Sequence, residues 1–201
     1  MAALRAQDAD PDPLVQVRAW FEEAREAGVF EPEAAALATA TPDGAPSARM
    51  VLVKGFDERG FRFFTNYESR KGSELEANPR AALLIHWKEL GRQIRVEGPV
   101  ERLSREESAE YARTRSRASR LSALASPQSS VVGSREELEA LVGRVREQYG
   151  EGEIPLPDHW GGYLLSPRVY ELWQHGQDRM HDRLRYRCEG AAGWVVERLG
   201  P

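Results

Sequence analysis

The chain has 201 residues, 41% hydrophobic and 30% charged, with a formal net charge of −4. That is the length of one domain with appendages and the composition of a packed protein, which argues against disorder. The negative balance supplies no global field toward nucleic acid or an anionic membrane, so any anion site must be a local cluster of Arg and Lys. Cys188 is the one cysteine, so no intramolecular disulfide can form and a cytoplasmic location is expected. No apolar run reaches the length of a membrane span, and no signal-peptide core stands at the N-terminus. A lone Cys and four scattered His give no metal-ligand spacing.

Residues 1–13 are polar, acidic and proline-bearing, and are expected to form a flexible arm ahead of a single domain over 14–201. Leu14, Val17, Phe21 and Ala24 recur at helical spacing and predict a helix ending near Gly28. The pattern then turns to strands over Ala34–Thr41, Ala48–Gly55 and Gly60–Thr65, separated by Pro42-Asp43-Gly44 and Asp57-Glu58-Arg59-Gly60. A short helix follows Ser69 and stops at Asn78-Pro79. Strands follow over Ala81–Trp87 and Gln93–Leu103. Ser104 with Glu107 and Ser134 with Glu137 fit capping boxes for helices over Arg105–Arg113 and Arg135–Tyr149. The last third returns to strands: Trp160–Leu165, Arg168–Gln174, His181–Cys188 and Trp194–Leu199. Short hairpin-linked strands with inserted helices predict an α+β fold built on an antiparallel barrel.

Four constellations could carry chemistry. In an extended conformation Arg179, His181 and Arg183 share one strand face, where like charges repel unless an anion lies between them. The other reading is a solvated basic edge strand. Arg49 and Lys54 bracket an apolar strand but have opposite parity. To serve one site the strand must end or bulge near Lys54, or the ligand must lie across its end; otherwise these are the charged ends of a buried strand. Arg70 and Lys71 follow Ser69 at a helix start, where free N–H groups and the dipole favour an anion. Tyr111, Arg115 and Ser119 would share a face on one continuous helix, although Arg113–Arg117 also fits an exposed, breaking turn. No Walker loop, dinucleotide fingerprint or nucleophile elbow is present. Several cation clusters and one obvious titrating group suit phosphorylated aromatic ligands and a cofactor that performs the chemistry.

Taken together, Ser47-Ala48-Arg49-Met50-Val51-Leu52-Val53-Lys54, Phe64-Thr65-Asn66-Tyr67-Glu68-Ser69-Arg70-Lys71, Gly91-Arg92-Gln93, Ser126-Pro127-Gln128-Ser129-Ser130, Trp160-Gly161-Gly162-Tyr163 and Arg179-Met180-His181-Asp182-Arg183 resemble the pyridoxine/pyridoxamine 5′-phosphate oxidase family. The resemblance runs from about Asp12 to Pro201. It implies an FMN-binding antiparallel split β-barrel with inserted and flanking helices, and a homodimer with FMN at the subunit interface. It also implies FMN-dependent oxidation of pyridoxamine or pyridoxine 5′-phosphate to pyridoxal 5′-phosphate, with O2 as acceptor and H2O2 as product. The FMN contacts it implies are Arg49, Met50, Val51, Leu52, Lys54, Phe64, Thr65, Gln93, Gln128, Ser129, Trp173 and Arg183, with Arg70 and Lys71 on the FMN phosphate. Lys54, Tyr111, Arg115 and Ser119 would bind the substrate phosphate, and Arg179 and His181 would face its ring as the catalytic pair. Leu172 and His175 depart from the family's usual aromatic and glycine, and Met180 from a common leucine. Two other functions remain open: a related flavin oxidase acting on another aromatic of the phenazine-precursor type, and a non-catalytic FMN or pyridoxal-phosphate binding protein.

Overall fold

Residues 3–201 are described by the structure, a computed structural model, and comprise five α-helices and ten strands. In chain order they are α1 (Pro13–Glu26), β1 (Ala34–Ala40), β2 (Pro46–Leu52), β3 (Gly55–Asp57), β4 (Gly60–Asn66), α2 (Arg70–Ala77), β5 (Arg80–Trp87), β6 (Arg92–Arg102), α3 (Arg105–Thr114), α4 (Arg117–Ala125), α5 (Arg135–Tyr149), β7 (Trp160–Leu165), β8 (Val169–Gln174), β9 (Asp182–Cys188) and β10 (Trp194–Arg198). Every strand pair is antiparallel.

The sheet forks at β6. One edge of β6 pairs with β5 over Arg92–Pro99. The other edge pairs with β8 over Arg92–Glu97 and with β7 over Val100–Arg102. The fork falls at Gly98-Pro99, where the β7–β8 link crosses: Ser166 N–H donates to Pro99 O at 2.9 Å and Arg168 N–H to Glu97 O at 2.8 Å. A Cβ on Gly98 would strike the Ser166 carbonyl, so the crossing requires glycine there. One branch, through β7 and β4, curls back toward β2. The other extends outward as β8–β9–β10. This is the α+β split barrel expected from the sequence.

The barrel core is aliphatic and aromatic: Leu37, Phe61, Phe63, Leu83, Ile85, Ile94, Val96 and Leu165 are fully buried. α1 closes it with Val17, Trp20, Phe21 and Ala24. Phe21 meets Trp87 edge-on and lies 4.9 Å from Phe56. Burying each such ring contributes roughly 1.5–3 kcal/mol.

Several expectations are met locally. Ser69 caps α2 as expected; Asp12, placed in the arm, caps α1. Ser104 and Glu107 make a complete capping box. Ser134 caps α5, but Glu137 reaches Gly133 N–H instead of closing the box. β2 differs from the strand expected over Ala48–Gly55: it ends at Leu52, so Lys54 lies beyond it and its parity against Arg49 imposes nothing.

Three readings are refined by the backbone. Of the two alternatives for Tyr111, Arg115 and Ser119, one continuous helix or a break over Arg113–Arg117, the structure has the break. α3 stops at Thr114, Arg115 is extended, and Ser116 caps a separate α4. Arg179 is not on a strand with His181 and Arg183; it lies in a 3-10 turn over Gln177–Arg179, and β9 starts at Asp182. The stretch expected as a flexible arm is tied down at Leu4 and Asp10, while residues 5–8 are exposed. Leu4 is buried, its N–H donates to Asp182 Oδ2, and its carbonyl accepts from Arg198. Tyr186 Oη also donates to Asp10 O. Apolar burial and ion-pair-flanked backbone bonds hold this segment against β9 and β10; the first two residues lie outside those described.

Candidate active site

Two adjoining cavities of about 450 Å³ each open beside β2 and β4. They share Leu52, Phe64, Thr65 and Gln128. The first also holds Lys54, Tyr111, Arg115 and Ser119, so the break between α3 and α4 still brings all four together. The second holds Met50, Val51 and Lys71. Two cation-bearing ends thus flank one apolar and aromatic floor.

At the first end Phe64 stacks on Tyr111 with ring centroids 3.8 Å apart, and Trp160 lies 5.7 Å from Phe64. The Phe64 ring can lie here because its β7 partner is Gly162; a Cβ on Gly162 would press into that ring. Arg115 is held over Trp160 at 4.9 Å. Burial lowers the Arg115 pKa from the ordinary arginine value and raises that of the Tyr111 phenol. Ser119 Oγ lies 2.9 Å from Ser116 Oγ.

At the second end Lys71 is buried at the start of α2. Its Nζ donates to Gln128 Oε1 at 2.8 Å, Thr65 Oγ1 at 3.1 Å and Ser69 Oγ at 3.2 Å. All three are neutral acceptors. Burial, with Arg49 nearby, pushes its pKa below the ordinary lysine range. Among the described residues no carboxylate stands within 4.0 Å of Lys71, Lys54 or Arg115. A buried cation at a helix N-terminus with no counter-ion is a site for an anionic ligand.

Arg49 and Arg70 are organised differently. Buried Glu74 binds both: Arg70 Nε donates to Oε1 at 2.8 Å, and Arg49 lies 3.2 Å from Oε2. Oε2 also accepts from Ser47 at 2.6 Å and from Thr39. Burial alone would raise the Glu74 pKa, but the hydrogen bonds from Ser47, Thr39, Arg70 and Arg49 outweigh it and hold it at about 2.

Of the remaining expected site residues, Trp173 and Arg183 lie on the outer branch of the sheet, Gln93 beside it on β6, Arg179 and His181 in the β8–β9 link, and Ser129 in the loop between α4 and α5. Register places Gln93 opposite Trp173 and Trp173 opposite Arg183, in one row across β6, β8 and β9. His181 packs 4.8 Å from Trp173 and 5.3 Å from His175, centroid to centroid. Gly176 N–H donates to His181 Nδ1 at 3.2 Å, so the neutral ring carries its proton on Nε2. Asp178 and Arg179 both have positive φ, 52° and 63°; consecutive left-handed non-glycine residues store strain of a kind that clusters at functional sites. Gln93, Trp173, Arg179, His181 and Arg183 line neither cavity of the chain, nor does Ser129, which is exposed with φ 73°.

Trp160 and Glu74 were not singled out from the sequence as site residues. The signal for Trp160 was its place before Gly161-Gly162. Glu74 had only its position four residues after Arg70 on the same helix.

The chain is thus a split-barrel protein with two cation-bearing cavities on one aromatic floor. The chain belongs to the pyridoxamine 5′-phosphate oxidase family: residues 21–149 match that family's model, and residues 160–201 match the pyridoxine 5′-phosphate oxidase C-terminal dimerisation region. It is 55% identical to a pyridoxine/pyridoxamine 5′-phosphate oxidase of Salinibacter ruber, covering 100% of this chain and 94% of that protein. It is 54% identical to one of Rubrobacter xylanophilus, covering 100% and 92%. Among solved structures it matches PhzG from Burkholderia lata in complex with tetrahydrophenazine-1-carboxylic acid, with a TM-score of 0.93 and 34% identity over 100% of this chain and 99% of that one. A pyridoxamine 5′-phosphate oxidase-related, FMN binding protein from Nostoc punctiforme shares the fold, with a TM-score of 0.73 at 19% identity.

Proposed function

We propose that the protein is an FMN-dependent oxidase that converts pyridoxamine or pyridoxine 5′-phosphate to pyridoxal 5′-phosphate, with O2 as acceptor and H2O2 as product. One observation carries the reading: two counter-ion-free cation sites, Lys71 and Lys54 with Arg115, stand at opposite ends of a shared floor. Two phosphate-bearing flat molecules side by side need that arrangement. Lys71, Arg70 and Arg49 at the α2 start would hold the FMN phosphate, with Thr65, Gln128 and the Met50–Leu52 backbone beside it. Lys54, Tyr111, Arg115 and Ser119 would hold the substrate phosphate.

Bound FMN would supply the two-electron acceptor that takes a hydride equivalent from the substrate's C4′ carbon and passes the electrons to O2. The chain's part is placement and charge. Arg179, held out by its left-handed turn, would clamp the substrate ring. His181, with Nδ1 occupied by Gly176 N–H, would offer Nε2 for proton movement. In the pyridoxamine reaction water then releases ammonia from the oxidised carbon.

The site needs a second copy of the chain. Gln93, Trp173, Arg179, His181 and Arg183 line neither cavity; the last four lie in the stretch that matches a dimerisation region, and Gln93 is the register partner of Trp173. Exposed Met50, on β2 at the end of the sheet, and exposed Met180 supply apolar contact area. A homodimer would bring one copy's outer branch over the other's cavities. Cys188, a free thiol, suits the cytoplasm.

The likeness to PhzG raises a phenazine-precursor substrate as the second reading. The four donors at the first cavity favour a phosphate over that ligand's single carboxylate. The test is anaerobic mixing of the FMN-loaded protein with each candidate. Bleaching of the yellow absorbance by pyridoxamine or pyridoxine 5′-phosphate is expected. Bleaching by tetrahydrophenazine-1-carboxylic acid alone would establish the second reading, and no bleaching by any would reduce the protein to a flavin binder.

A further inference from the structure

Glu171 on β8 has only 3% of its side chain exposed, and the chemistry proposed above gives it no task. Its two oxygens are both claimed by arginine. Arg183 Nε donates to Oε1 at 2.9 Å and Arg183 NH2 stands 2.8 Å from the same oxygen. Arg95 NH2 donates to Oε2 at 2.6 Å, while Arg95 Nε lies 2.8 Å from Glu97. The Arg183 NH1 group donates to the carbonyl of Gly200 at 2.8 Å. The guanidinium is therefore fixed from two sides, with N–H groups still unspent.

Glu171 and Trp173 are two apart on β8, on the same face, and Arg183 is the register partner of Trp173. A buried ion pair contributes little net stability, because desolvation offsets most of the attraction. An arginine already held in place, however, gives up no further rotamer freedom when it grips a ligand.

We propose that Glu171 is a positioning residue of the flavin site: it locks the Arg183 guanidinium beside the Trp173 ring, presenting the remaining N–H groups to a flat ligand rich in carbonyl and ring-nitrogen acceptors. Arg95 prevents the carboxylate from swinging away. This inference rests on the reading of Gln93, Trp173 and Arg183 as flavin contacts.

The test is a fluorescence titration of the stripped protein with FMN for the wild type, Glu171→Gln, Arg183→Ala and the double variant. Glu171→Gln is expected to raise the FMN Kd about tenfold, the scale of coupling within one ion-pair network. The double variant should bind no more weakly than Arg183→Ala alone, and the visible band of bound flavin should shift in Glu171→Gln. An unchanged Kd in Glu171→Gln, or losses that simply add in the double variant, would overturn the proposal. Should Glu171→Gln fail to fold, Glu171→Asp carries the same comparison, because it draws the carboxylate back by one methylene while keeping a charge beside Arg95. A wild-type protein that binds no FMN would instead remove the flavin reading, and this inference with it.

Discussion

The Arg115 guanidinium lies 4.9 Å above the Trp160 ring, with no carboxylate partner among the described residues. Trp160 thus orients a cation that the fold leaves unneutralised, at the end of a cavity that also holds Lys54, Tyr111 and Ser119. Arg115→Ala should raise the KM for pyridoxamine 5′-phosphate by about 10- to 100-fold, the worth of one charge-assisted hydrogen bond. FMN affinity should not change. Trp160→Phe keeps a ring and should act in the same direction, more weakly. Steady-state kinetics beside an FMN titration separates the two ligands.

Lys71 faces only neutral acceptors, and burial depresses its pKa. An anion binds the protonated form better, so FMN affinity should fall as pH rises through that lowered pKa, beginning below the range of an exposed lysine. Lys71→Met should weaken FMN binding by about 10- to 100-fold and abolish this alkaline limb. Equilibrium titration across pH measures both.

Glu74 gives a stability test that needs no ligand. Its folded pKa of about 2 lies below the ordinary 4.5. Its contribution should therefore be complete above about pH 4.5 and be lost as pH falls toward 2. The shift corresponds to roughly 3 kcal/mol. Glu74→Ala should lower the urea midpoint at pH 7 and flatten the acid limb between pH 4.5 and 2.

Arg179 sits in a left-handed turn, exposed and lining neither cavity of its own chain. Arg179→Ala should raise the substrate KM or lower kcat while FMN stays bound. Loss of FMN with unchanged kinetics per bound flavin would place Arg179 on the other ligand.

Much of this was legible in the sequence where local chemistry decides the outcome. Ser69 and Ser104 marked helix starts because a hydroxyl at that position satisfies free N–H groups. The opposite parity of Arg49 and Lys54 left an early strand end, a bulge or a ligand across the strand end open; β2 ends at Leu52, short of the Gly55 that the apolar run suggested. Tertiary contacts decided the rest. Arg179 alternates with His181 and Arg183 as strand residues would, yet two left-handed residues put it in a turn. Arg117–Ala125 forms α4 although its few apolar residues give no long periodicity, with Leu121 its one buried anchor. Leu4 is the one large aliphatic residue of a largely polar described stretch, and its docking against β9 and β10, with the Tyr186 bond to Asp10, depends on residues distant in sequence. Glu74 carries no signal in the sequence beyond its spacing from Arg70; its role depends on Thr39 and Ser47, which are distant in sequence.

The central claim is that two phosphate-bearing ligands meet on the shared floor and exchange electrons there. Oxygen uptake by the FMN-loaded protein, followed together with pyridoxal 5′-phosphate formation, tests it most directly. Uptake is expected with pyridoxamine or pyridoxine 5′-phosphate, one O2 per product formed, and should drop sharply with the dephosphorylated compounds. Bound FMN with no oxygen uptake on either phosphorylated substrate would contradict it.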